Sequence, residues 1–92
     1  MPELWFDTHA DRALEELDQD PARRRLSERV AATLDALEHD AGRAELRRHR
    51  FVSGLWGIVV HGDDETWVVL WEPHPTIDDA VVIQYVGPAS FA

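Results

Sequence analysis

The sequence predicts an α+β domain of two layers, in which a helical hairpin packs on a small antiparallel sheet with the order β-α-α-β-β-β. Three observations predict it. Residues 8–40 carry apolar side chains at helical spacing in two stretches. From Leu46 onward the apolar runs are short and rich in valine, isoleucine and tryptophan, which is typical of strands. The length of 92 residues suffices for one hydrophobic core, so we expect a single domain over residues 1–92.

The N-terminal segment contains the first strand and the first helix. Residues 4–6 form a short apolar run that predicts a strand. Thr8 followed by Asp11 resembles a capping box with Asp in place of Glu, which predicts a helix over residues 8–18. The apolar residues that recur there at helical spacing are Ala10, Ala13, Leu14 and Leu17.

The second helix has a clear start signal in Asp20-Pro21. Aspartate accepts hydrogen bonds from free N–H groups of the first turn, and proline at the first helical position loses no hydrogen bond. The pattern predicts a helix over residues 21–40, with Gly42 as its C-terminal cap. One apolar stripe follows its length, formed by Leu26, Val30, Leu34 and Leu37.

Three strands are expected over residues 55–61, 66–72 and 80–86, joined by turns at 62–65 and 72–79. The simplest topology is an antiparallel meander, which the first strand must join. Two of these runs are apolar at consecutive positions, so both faces of the sheet carry hydrophobic side chains. We therefore expect the second face to be covered.

Charge is unevenly distributed along the chain. Eighteen acidic residues outnumber nine basic ones, which gives a formal net charge of −9. Every basic residue is an arginine within the first 50 positions, and residues 51–92 carry no Arg or Lys. Because broad phosphate binding needs a basic face, only a local nucleic-acid contact is expected. Without cysteine, disulfides and thiolate zinc sites are excluded. With neither a signal peptide nor an apolar membrane span in the sequence, we expect a cytoplasmic protein.

Four local segments occur in a characteristic order. They are the basic run 47–50, the glycine-flanked aromatic segment 53–58, the aromatic and aliphatic strand 67–71, and a closing strand that ends in the glycine of 85–87. In this order the chain resembles the RelE/ParE superfamily, the toxins of bacterial type II toxin–antitoxin pairs. The resemblance implies a toxin neutralised by a cognate antitoxin, and an activity of mRNA cleavage on the ribosome.

The resemblance also implies site residues. In ribosome-dependent members, cations and a tyrosine hold the scissile phosphate and offset the charge that develops as the neighbouring 2′-hydroxyl attacks. The basic segment before the second strand falls on Arg47, Arg48 and Arg50, which would bind nucleic acid. The cation at the end of that strand falls on His61. The residues expected to act in catalysis are His61, Arg48 and Arg50.

Other positions of the family pattern carry different residues here. The usual third-strand arginine falls near Trp67, and the C-terminal tyrosine falls near Phe91. The basic residue after the closing glycine falls on Pro88 or Ala89. Several cations of a RelE-like endoribonuclease are therefore missing. The alternative is a non-catalytic interaction module, either a ParE-like gyrase inhibitor or a degenerate toxin, or a homodimer formed through the apolar sheet face.

Each candidate site has a structural alternative. The run 47–50 would also serve as a solvated edge strand, and Arg23-Arg24-Arg25 as a solvated helix face rather than a contact to RNA or an acidic partner. His61 borders the acidic turn 62–65, where a carboxylate neighbour would hold it protonated as an acid, or it is structural. His74 lacks metal-ligand spacing, so no metal and no cofactor are expected. Four large aromatic residues are most simply core and interface residues, and any two that face outward would anchor a partner, namely Trp56, Trp67, Trp71 and Tyr85.

Overall fold

A computed structural model describes residues 3–40, 49–50 and 55–91. In this part of the chain two helices precede most of a five-stranded sheet, which confirms the predicted α+β class and element order. The elements are β1 (Glu3–Phe6), α1 (Thr8–Asp18), α2 (Arg24–Asp40), β2 (His49–Arg50), β3 (Trp56–His61), β4 (Thr66–Pro73) and β5 (Ala80–Pro88). Gly42, the predicted cap of α2, lies outside the described residues.

Both helices begin with an aspartate cap. The carboxylate of Asp7 accepts from the backbone N–H of His9 at 3.1 Å, so the cap of α1 is Asp7 and not Thr8, which is the first helical residue. The prediction at Asp20-Pro21 is confirmed, because Asp20 accepts from the N–H of Ala22 at 3.0 Å. A 3₁₀ turn, Pro21–Arg23, precedes the first α-helical residue of α2.

The sheet has the strand order β1-β5-β4-β3-β2. Strands β3, β4 and β5 form the predicted antiparallel meander. The first strand joins the sheet as expected and runs parallel to β5, with Leu4 opposite Val81 and Phe6 opposite Ile83. The sheet is therefore mixed and not wholly antiparallel, because the helical hairpin returns the chain so that β1 and β5 run in the same direction. Strand β2 pairs with β3 and forms the other edge, so residues 49–50 of the basic run lie in an edge strand, as the structural alternative predicted.

The hydrophobic core lies between the helices and one face of the sheet. Its largest fully buried side chains are Trp71, Leu37 and Ile83. Alternation along β4 places Val68 and Leu70 on the opposite face, and both are buried as well. On that face β3 is more open, since Val59 is 37% exposed. The second face of the sheet is therefore shielded from solvent at its centre, along β4, as expected, but is more open along β3.

The connection between β4 and β5 is organised by His74. Its Nδ1 atom accepts from the backbone N–H groups of Thr76 and Ile77, at 3.1 and 3.0 Å. The backbone N–H of His74 donates to the carbonyl of Ala80 at 2.8 Å. Asp79 has a φ of 54°, the left-handed conformation that a tight turn can require. The carbonyl of Asp79 then accepts from the N–H of Glu3, which ties this turn to β1.

Candidate functional site

His61 is the last residue of β3 and is exposed to solvent. Its neighbour Val60 belongs to the core beneath the helices, so alternation places His61 on the opposite face of the sheet. The strand pairs it with Thr66 across the turn to β4. The backbone carbonyl of His61 accepts a hydrogen bond from the guanidinium of Arg29, which fixes this strand end to α2.

The arginines predicted to act with His61 lie elsewhere or are not described. Arg50 is in β2 opposite Trp56, at the far end of β3 from His61. His61 lies five positions after Trp56, which is about 17 Å along a strand. Arg47 and Arg48 lie outside the described residues. In the described part of the chain, the structure brings no predicted arginine next to His61.

A different set of charges does come together at this end of the sheet. Residues 62–65, which we call the acidic turn, lie against the start of α2. Arg25 donates to the Asp63 carboxylate at 3.0 Å, and Arg23 lies 3.1 Å from the Glu65 carboxylate. The sequence shows both charged groups but not their pairing, because 38 residues separate Arg25 from Asp63. The arginine run thus contacts acidic residues of its own chain.

Trp67 extends this contact into the core. Its indole N–H donates to the carboxylate of Glu65, and the guanidinium of Arg23 lies 5.7 Å from the ring centroid. Such a cation–π arrangement adds to the ion pair between Arg23 and Glu65. Trp67 is 5% exposed, so its ring is a core residue with a polar edge. The interpretation of Trp67 as a core aromatic residue is therefore confirmed, and it does not face outward as a partner anchor would.

A cleft of about 390 Å³ opens beside Trp67, between α1 and the end of β5. The ring of Tyr85 forms one wall and stacks on His9 with 5.6 Å between centroids. The Tyr85 hydroxyl donates to the carbonyl of Pro88 at 2.9 Å. Burial raises the pKa of Tyr85 above its ordinary value. At neutral pH this phenol is therefore a fixed hydrogen-bond donor to its own chain.

The exposed aromatic residues of the described ranges are not among the four whose orientation the sequence left open. Trp71 is fully buried and Trp56 packs partly buried against the core. The exposed ones are Trp5 and Phe6 in β1, at 43% and 39%. The ring of Trp5 tilts against that of His74 with 5.4 Å between centroids. Both residues lie in the strand at one edge of the sheet, and no strand of the described ranges pairs with its outer side.

Metal binding has no support among the described residues, which contain no group of three or more histidine or acidic side chains able to hold an ion. His74 instead accepts two backbone hydrogen bonds, and Glu72 accepts from the side-chain amide of Gln84 at 3.2 Å. No helix within the described ranges is long and apolar enough to cross a membrane.

Comparison with known proteins returns no relative. No protein-family model matches the chain, and no curated protein and no solved structure matches it either.

Proposed function

We propose that the chain is the toxin component of a type II toxin–antitoxin pair, active in the cytoplasm and neutralised by a cognate antitoxin. The observation that carries the proposal is the architecture: a helical hairpin covers one face of a sheet whose first strand pairs with the last strand of a three-strand meander. This is the element order of the RelE/ParE superfamily, which the chain resembles in its local segments as well.

The first candidate mechanism is ribosome-dependent mRNA cleavage. Arg47, Arg48 and Arg50 would hold the backbone phosphate, and His61 would move a proton or stabilise the charge that develops on the phosphate. The exposure of His61 supports this role, since the substrate must reach the imidazole. Trp56, the strand partner of Arg50, packs on the core face at one end of β3, whereas His61 lies on the opposite face at the other end. Arg50 and His61 would therefore contact separate parts of an extended RNA segment.

The second candidate is a non-catalytic toxin that binds a protein target such as DNA gyrase, or a degenerate toxin that retains only protein binding. The pairing of arginines within the chain favours it. Arg23 and Arg25 hold the acidic turn, and Arg29 holds the His61 carbonyl. Residues 51–92, which supply three of the sheet strands, contain no Arg or Lys. These three arginines are therefore not free to hold a phosphate.

Expression without a partner distinguishes these mechanisms. A ribonuclease toxin arrests growth and cuts mRNA at defined codon positions, and both effects are lost in the variants Arg48→Ala, Arg50→Ala and His61→Ala. Removal of one contact to a transition state commonly reduces the rate about 10²- to 10³-fold. The matched control is Arg24→Ala, because the Arg24 side chain is 85% exposed and pairs only weakly with Glu28, at 3.6 Å.

Each other outcome has a defined meaning. Arrest that survives all three substitutions contradicts the assigned ribonuclease site. Arrest accompanied by gyrase inhibition, without RNA cuts, selects the protein-binding mechanism. Normal growth at high expression of the soluble chain contradicts an active toxin of either kind and is compatible only with the degenerate toxin that retains protein binding.

A further inference from the structure

Strand β1 has one unpaired edge. The N–H of Glu3 donates to Asp79 and the N–H of Asp7 donates to Ile83, at 2.9 and 3.0 Å, both on the β5 side. Because backbone groups alternate in direction along a strand, those of Leu4 and Phe6 point away from β5. No strand of the described ranges pairs with them. An unpaired row of this kind is a template for another strand.

A groove of about 520 Å³ lies beside this edge, between β1 and α2. Its apolar lining comes from Leu4, Phe6, Ala31 and Leu34. Its other lining residues are Glu3, Asp35 and Glu38, all exposed and all acidic. We call these seven residues the β1–α2 groove. No arginine of the described ranges lines it, and the Nδ1 atom of His39 lies 3.6 Å from the Asp35 carboxylate.

We propose that the β1–α2 groove binds a basic, extended segment of a different protein, which adds to β1 as a further strand. Main-chain hydrogen bonds to Leu4 and Phe6 would supply the pairing, and alternate side chains of the segment would reach the groove. Apolar side chains would cover Phe6 and Leu34. Arginine or lysine side chains would lie near Asp35 and Glu38.

Charge determines which occupant fits. Two copies of this chain, each with a net charge of −9, would bring identical acidic rims together at a shared β1 edge. Like charges placed across an interface cost several kcal/mol and suppress the wrong partner. A basic segment meets the opposite condition, since each cation is attracted to the rim during encounter and in the complex. If the chain is a toxin as proposed, this segment belongs to the antitoxin. Only that naming of the partner rests on the proposed function.

The test uses two end-capped synthetic peptides of about six residues, a common strand length. One alternates valine with arginine, and the other alternates valine with glutamate. We expect the arginine peptide to bind at least about tenfold more tightly than the glutamate peptide, with an affinity that falls as salt is added. In hydrogen exchange, the amides of Leu4 and Phe6 become protected when the arginine peptide is bound.

A matched pair of variants separates groove binding from general attraction to an acidic protein. The double variant Asp35→Asn with Glu38→Gln should weaken binding of the arginine peptide about tenfold or more. The control, Glu16→Gln with Asp64→Asn, removes the same charge from exposed residues outside the groove and should leave the affinity nearly unchanged.

Several results would overturn the proposal. They are absence of binding by the arginine peptide, equal weakening in both double variants, and protection of amides other than those of β1. Concentration-dependent protection of Leu4 and Phe6 in the free chain would instead assign the edge to a second copy. Because none of these measurements uses growth arrest, failure here is distinguishable from failure of the toxin proposal.

Discussion

Tyr85 is the single tyrosine of the chain, and three neighbours hold it in place. Its ring stacks on His9, and its hydroxyl donates to Pro88. A Cβ atom added at Gly87 would lie 2.7 Å from the hydroxyl oxygen, so this close approach requires glycine. Burial of the ring raises the pKa of Tyr85, because the phenolate is less well solvated than in water.

We predict that Tyr85 makes the stability of the fold depend on pH in the alkaline range. The unfolded tyrosine loses its proton near pH 10, at a lower pH than the folded one. The free energy of unfolding is therefore unaffected by Tyr85 below about pH 10 and falls as the pH rises through the raised folded pKa. Since the chain contains no lysine and no cysteine, phenolate absorbance and denaturant titration both report on this one side chain.

Tyr85→Phe is the control for this prediction. It removes the hydrogen bond to Pro88, at a cost of about 1 kcal/mol. It should also abolish the decrease in stability above about pH 10. A folded-state titration midpoint at or below that of the denatured chain would show that the ring is not buried as described.

Strand β4 carries buried apolar residues on both of its faces, as its sequence pattern predicted. Its apolar residues are consecutive, and all five from Trp67 to Trp71 are buried. On the face opposite the helices, Val68 pairs directly with Val59 of β3. Val68 is fully buried and Val59 is 37% exposed. The two valines therefore share a face, a register and a residue type, and differ in their access to water.

This pair gives a matched test of how the second face is covered. Val68→Thr places a hydroxyl in a buried apolar site and should reduce the free energy of unfolding by about 1–3 kcal/mol. Val59→Thr keeps the same shape at a site that water reaches and should change it by less than about 0.5 kcal/mol. Denaturant unfolding of both variants measures the difference. Equal costs would mean that this face of β4 is open in solution.

Periodicity and capping signals predicted the helices and the three long strands, because those signals are local. The predicted N-cap of α1, Thr8, is one residue away from the observed one, Asp7. Both residue types are good caps, and only the fold decides between them. The direction of β1, the short strand β2 and the contact of Arg25 with Asp63 depend on residues far apart in sequence. The proposed site remains a prediction, as Arg47 and Arg48 are not described.

For the whole molecule, the net negative charge opposes folding at long range, whereas individual ion pairs favour it at short range. The ion pairs of Arg23 and Arg25 with the acidic turn bridge atoms about 3 Å apart. The net charge of −9 acts over the entire molecule, whose extents are 37 × 23 × 21 Å. Exposed ion pairs contribute only about 0.2–1 kcal/mol each. We therefore expect the long-range repulsion to determine how salt affects stability.

The prediction is that Tm rises as NaCl increases from about 0.01 to about 0.1 M. Over this range the screening length shortens from about 30 Å, comparable to the molecule, to about 10 Å. Relief of about 1 kcal/mol of repulsion would raise Tm by about 4–8 °C in a domain of this size. The variant Glu16→Gln with Asp64→Asn, which carries two fewer negative charges, should show a smaller rise. A Tm that falls with salt would instead mean that the pairs at the acidic turn outweigh the net charge.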